Sequence, residues 1–111
     1  MTLNALFHAL GDPTRREILR LLREGDLTAG EIAGRFPLAR STLSGHFNVL
    51  KAANLILSER RRTTIVYSLN VSALEEAMAA AMDLFKVGQA ETGERNGADD
   101  PASSVNGEGQ R

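Results

Sequence analysis

Arg40, Ser41, Thr42, Ser44, Gly45 and Asn48 bring a guanidinium, hydroxyls and a carboxamide into one short run of the chain. Between them Leu43, His46, Phe47 and Leu50 recur at the i, i+3, i+4, i+7 spacing of a single helical face, so the run from Arg40 to Ala53 reads as a helix. The polar set lies off that apolar stripe, towards the N-terminal half. In a major groove such a face offers arginine to guanine, hydroxyls to base edges or phosphates, and asparagine to adenine. An ordinary solvated helix face is the plainer alternative. Ser41 and Thr42 are equally suited to capping the helix or holding phosphate, which leaves Arg40 and Asn48 as the base-reading candidates. Gly45 costs about 1 kcal/mol relative to Ala in a helix interior, and close approach of DNA or of another helix would account for it.

A second cluster of cations follows. Leu55 to Glu59 and Thr64 to Leu69 read as two strands, and Arg60, Arg61 and Arg62 fall at the bend between them. Like charges at a turn repel unless an anion screens them, so contact with phosphate or the minor groove fits better than a merely solvated charge run.

Other chemistries lack their parts. The chain has no cysteine and two histidines, which excludes disulfides, thiolate metal sites and cysteine nucleophiles. His46 lies on the apolar stripe and His8 on a different helix, and zinc needs several ligands converging on one point, so a packing role suits His46. With no paired carboxylates in a cleft-forming context, no glycine-rich phosphate loop and no oriented histidine, no catalytic residue, cofactor or metal site is expected.

The elements that must position these residues are well marked. Leu3, Leu6, Phe7 and Leu10 give a first helix, ended by Gly11 before Asp12-Pro13, an N-cap followed by proline at the first helical position. Ile18, Leu19, Leu21 and Leu22 form the apolar face of a second helix, with Arg15, Arg16, Arg20 and Arg23 mostly outside it and Gly25 at its stop. Thr28-Ala29-Gly30-Glu31 fits a capping box that opens a short third helix, stopped by Pro37. Asn54 tolerates a left-handed conformation at the end of the fourth helix. Ser72-Ala73-Leu74-Glu75 reads as another capping box, opening a last helix that bears Leu74, Ala77, Met78, Ala81, Met82 and Phe85.

The expected architecture is therefore mainly α with a small β-hairpin, in the winged helix-turn-helix order α-α-α-α-β-β-α. At 111 residues and 42% hydrophobic composition there is room for one domain, expected over residues 1–87. Residues 88–111 are dominated by Gly, Asn, Asp, Ser and Glu and are expected to form a disordered acidic and polar tail. The formal net charge is −1, yet Met1 to Asn70 carries 10 Lys/Arg against 6 Asp/Glu and Val71 to Arg111 carries 3 against 8, so a basic front is joined to an acidic back. No apolar run approaches a membrane span and no secretory signal opens the chain, so a soluble, cytoplasmic protein without membrane insertion is expected.

Two ordered motifs carry a resemblance. Phe7-His8-Ala9-Leu10-Gly11-Asp12-Pro13-Thr14-Arg15-Arg16-Glu17-Ile18-Leu19 resembles the opening of the ArsR/SmtB family of winged-helix repressors, and Leu43-Ser44-Gly45-His46-Phe47-Asn48-Val49-Leu50-Lys51 resembles its recognition helix. Phe47 stands where the family commonly has Leu, and Asn54 where it commonly has Gly. The stretch Leu27 to Ala33, with Arg60-Arg61 and Tyr67 to Asn70, is most similar to the SdpR-like autorepressor subgroup. The resemblance implies a homodimer built on the first and last helices, binding an inverted-repeat operator in double-stranded DNA. Leu3, Leu6, Phe7, Leu74, Met78, Ala81, Met82 and Phe85 are the residues expected at that interface; their faces would otherwise complete the core of a monomer. The family's metal sites use cysteines near the third helix or His and Asp on the last helix. Here the last helix has Asp83 and no His, so none carries over. A winged helix serving protein interaction instead of DNA is the rival function, and a small molecule or a sequestering protein partner is left open as the regulatory signal.

Overall fold

The computed structural model describes residues 2–86. Five helices and a three-stranded sheet follow in the order α1 (Leu3–Leu10), α2 (Pro13–Arg23), β1 (Leu27–Thr28), α3 (Ala29–Ala33), α4 (Arg40–Ala52), β2 (Ile56–Arg61), β3 (Thr64–Leu69) and α5 (Val71–Leu84). The chain divides into one compact unit through Ala77 and a second from Met78 onward. The acidic tail expected at 88–111 lies outside the described residues.

Local chemistry sets the helix starts. Thr2 caps α1 by accepting from the Ala5 N–H at 3.1 Å, and Asp12 caps α2 by accepting from the Arg15 N–H at 3.1 Å with Pro13 at the first turn. The capping box at Thr28 is present in both directions. The Thr28 hydroxyl accepts from the Glu31 N–H at 3.0 Å, and the Glu31 carboxylate accepts from the Thr28 N–H at 2.8 Å. The box expected at Ser72 is not the one used. Asn70 caps α5 instead, its Oδ1 accepting from the Ala73 N–H at 3.3 Å while its Nδ2 donates to the Asn54 carbonyl at 3.0 Å. Asn54 holds φ +62° there, so the turn that ends α4 and the cap that opens α5 are one hydrogen-bonded unit.

Fully buried Leu6, Ile18, Ile32, Leu43, Leu50 and Leu55 bring α1, α2, α3, α4 and the lead-in to β2 onto one core. Burying a side chain of this size is worth roughly 1.5–3 kcal/mol, so apolar burial holds the helices and the caps fix where each begins. The sheet has the order β1-β3-β2, all antiparallel. β1 is an addition to the expected hairpin: Leu27 pairs with Tyr67 and Thr28 with Val66, which ties the lead-in of α3 to the wing.

Arg15 and Arg16, expected on the solvent side of α2, turn back onto α1. Arg15 donates to the carbonyls of His8 at 2.8 Å and Ala9 at 3.0 Å, and Arg16 donates to the Leu10 carbonyl at 2.7 Å. These are last-turn carbonyls, of which that of His8 also accepts from the Gly11 N–H at 3.2 Å, and cations there oppose the negative end of the helix dipole.

Candidate nucleic-acid interface

α3 and α4 form the helix-turn-helix, and α4 has two chemically distinct sides. Leu43, Phe47 and Leu50 are buried, while Arg40, Ser41, Thr42, Ser44, Gly45, Asn48 and Lys51 are exposed. All six candidate reading residues therefore lie together on the outer face of one helix. Ala39, not Ser41 or Thr42, is the N-cap, and α4 has no side-chain cap, so neither hydroxyl is committed to capping. Among the described residues no side chain comes within ion-pairing distance of Arg40. A Cβ built on Gly45 would meet nothing within 4 Å, so the glycine is not required by packing inside the chain.

The wing corrects the placement of the three arginines. Arg60 and Arg61 are in β2, paired with Ile65 and Thr64, and only Arg62 stands in the two-residue turn with Thr63. Neighbours along a strand face opposite sides, so the two strand arginines diverge. Arg61 shares its side with Glu59, to which it donates at 3.1 Å, and the carboxylate holds its guanidinium above the usual range. Arg60 and Arg62 form no ion pair among the described residues. Arg62 adopts φ +59°, the left-handed conformation that tight hairpin turns demand at their first position and usually fill with Gly, Asn or Asp.

Behind the reading face lies a polar cluster that the sequence did not disclose. His46 has a side chain only 15% exposed, and its Nδ1 lies 3.1 Å from Nη1 of Arg15. Its Nε2 is 3.9 Å from Oδ2 of Asp12. The Arg15 N–H, ahead of the smaller effect of the nearby imidazole, holds the Asp12 carboxyl below the usual carboxylate range. His46 is thus a packing residue with polar partners. Among the described residues no three His, Asp or Glu side chains gather as a metal site would require.

The apolar residues expected at a subunit interface divide. Phe7 is 44% exposed, Met78 40%, Met82 47% and Phe85 67%, and Leu3, Leu74 and Ala81 are half-buried. Leu6 is a correction: it is fully buried in the chain's own core and has no area left for a partner. Ala77, on the same face of the last helix, is also buried. Exposed Val71 and Leu84 had not been singled out.

Residues 12–58 match the family model described as bacterial regulatory protein, arsR family. The transcriptional repressor SdpR of Bacillus subtilis is 41% identical over 86 residues, covering 78% of this chain and 96% of that protein. The HTH-type transcriptional regulator Rv2034 of Mycobacterium tuberculosis is 38% identical over 79 residues, covering 71% of this chain and 73% of that one. Among solved structures, an ArsR-like transcriptional regulator from Rhodococcus sp. RHA1 has a TM-score of 0.66 at 32% identity, over 76% of this chain and 78% of its own.

Proposed function

This chain belongs to the arsR family of bacterial regulatory proteins, and from that membership we propose that it is a DNA-binding transcriptional repressor that grips an inverted-repeat operator as a homodimer. Regulation, not enzymatic catalysis, is the work of the family. The observation that carries the reading is the two-sidedness of α4. Its apolar side is spent on the core, while its arginine, hydroxyl, glycine and asparagine positions are left together on the outside. A helix of this kind reads base edges from its N-terminal half, and Arg60 and Arg62, which have no ion pair among the described residues, add phosphate or minor-groove contacts from the wing.

The exposed apolar residues of α1 and α5 support a two-fold dimer, since side chains such as Phe7, Met82 and Phe85 gain most by burial against a second copy. Two-fold symmetry would set the two α4 helices about 34 Å apart, one turn of B-DNA. The similarity to the transcriptional repressor SdpR supports repression, and the autorepressor reading rests on the resemblance of Leu27 to Ala33, Arg60-Arg61 and Tyr67 to Asn70 to that subgroup. The cysteine-free sequence and the absence of a ligand cluster among the described residues support a repressor that zinc, arsenite or cadmium does not release. No helix among the described residues is long and apolar enough to cross a membrane, which fits a cytoplasmic site of action.

In vitro selection from random duplex DNA tests the proposal. The expected product is a palindromic sequence with half-sites one helical turn apart, bound by a species that light scattering weighs as a dimer and that Met82→Glu weakens. Recovery of no preferred sequence would sink it in favour of a winged helix serving protein interaction.

A further inference from the structure

The contact between Arg15 and His46 joins three elements at one guanidinium. Arg15 donates to the His8 and Ala9 carbonyls at the end of α1 and lies 3.1 Å from Nδ1 of His46 on α4, while its own backbone sits in the first turn of α2. A guanidinium has donors only, so Nδ1 must accept. That choice fixes the imidazole's tautomer, with the neutral ring carrying its proton on Nε2, the atom turned towards Asp12 at 3.9 Å. Asp12 is held in turn by the Arg15 N–H at 3.1 Å.

We infer that Arg15 and His46 are a positioning pair that sets the roll of α4 about its own axis, and so decides which of its outer residues meet base edges. This rests on the proposed reading of DNA by α4. Leu43, Phe47 and Leu50 fix how deeply the helix is seated, but apolar contact is non-directional and tolerates small rotations. A hydrogen bond weakens steeply once its angle departs from linear. His46 supplies that angular constraint at the position adjoining Gly45 and two residues before Asn48, both exposed. Neither Arg15 nor His46 touches DNA in this scheme. Phosphate contacts tolerate a rolled helix, whereas base contacts do not, so the pair acts on discrimination more than on grip.

The test compares His46→Asn with His46→Gln and His46→Leu in the full chain, using the in vitro selected duplex and a random duplex of equal length. The Asn Oδ1 sits close to where Nδ1 was and accepts from Arg15; the Gln amide reaches past it; Leu has no acceptor. His46→Asn should keep the ratio of selected to random affinity. His46→Gln and His46→Leu should lower it about tenfold per half-site, the discrimination carried by one base pair, with binding to random duplex unchanged and melting temperatures close to the parent's. If His46→Leu fails to fold, the Asn and Gln pair decides alone. Nitrogen NMR of the neutral ring should show the proton on Nε2 in the parent and a mixture of tautomers in Arg15→Met. An unchanged ratio in His46→Gln, or a proton found on Nδ1, overturns the pair while leaving DNA recognition by α4 intact. A parent protein that selects no sequence removes the proposed function itself, and this inference with it.

Discussion

Phe47 and Tyr67 stack with their ring centroids 4.5 Å apart and their planes inclined by 29°. One ring comes from α4 and the other from the central strand β3, so the helix that carries the reading residues rests directly on the wing. Both are buried, at 5% exposure each, and burial pushes the Tyr67 phenol above its ordinary range. Phe47→Ala should therefore cost about 3–5 kcal/mol, as aromatic truncations in cores do. Phe47→Leu, which restores a common family residue, should cost less, on the order of 1 kcal/mol, because it keeps the apolar volume but gives up the ring pair. Urea unfolding of the two variants checks both values.

Gly45 makes the opposite prediction for stability and for binding. Beyond its own helix backbone, a methyl group at this position meets nothing within 4 Å among the described residues, so Gly45→Ala should stabilise the free protein by up to about 1 kcal/mol through helix propensity alone. Affinity for the selected duplex should fall if the bare backbone is what lets α4 approach the groove floor. A thermal melt and a gel shift on the same preparation settle the matter, and unimpaired binding would remove Gly45 from the reading set.

Arg40 and Arg62 should fail in different ways. Arg40→Ala should cost roughly 1–3 kcal/mol per half-site on the selected duplex and blur one base preference, with less effect on random DNA. Arg62→Gly removes a cation from the turn and also relieves the left-handed strain at φ +59°, so the hairpin should become no less stable. Binding to selected and random DNA should weaken by similar factors. For a dimer the slope of log affinity against log salt should become shallower by about two units if each wing neutralises one phosphate. Arg61 is already engaged by Glu59 and should matter less than Arg62. A salt titration of these two variants and of Arg61→Ala separates these outcomes.

Asp12 gives an acid dependence. Its carboxyl is held below the usual range by the Arg15 N–H, so its stabilising contribution is fully present above the ordinary carboxylate pKa and is lost as pH falls through the depressed folded value. Asp12→Asn keeps a side-chain acceptor for the cap and should flatten the acid limb of stability. Asp12→Ala should lower the melting temperature at neutral pH as well. Thermal melts between pH 7 and pH 3 distinguish the two.

What could be read in the sequence was what local spacing determines. Asp12-Pro13 and the Thr28–Glu31 box are decided by residues within one turn, and the two sides of α4 by its period. β1 escaped because two residues carry no period, and Thr28 announced itself as a cap while also pairing with Val66. Ser72 was expected to cap α5. The choice fell to Asn70 because its amide also reaches the Asn54 carbonyl, across a separation that spacing does not reveal. The role of Arg15 was hidden for the same reason: its partner His46 is 31 positions away. The arginine run was misplaced because three like residues in a row do not show which of them turns.

The pairing of Leu27 with Tyr67 and Thr28 with Val66 makes a ring of the chain between them. That ring encloses α3, α4, β2 and the hairpin turn, so the reading helix and the wing tip are covalently inside a loop whose two ends are stitched by β1 and β3. Lengthening the α3–α4 connection by a few residues then enlarges a loop that is already closed, and the entropy of closure grows only slowly with length. Breaking the stitch frees the β1 end, while Tyr67 and Val66 stay paired with Ser58 and Glu59 of β2. Amide exchange should accordingly show the β1–β3 bonds opening together with the α3 lead-in as one cooperative unit, the point at which the grip of the whole reading module is released.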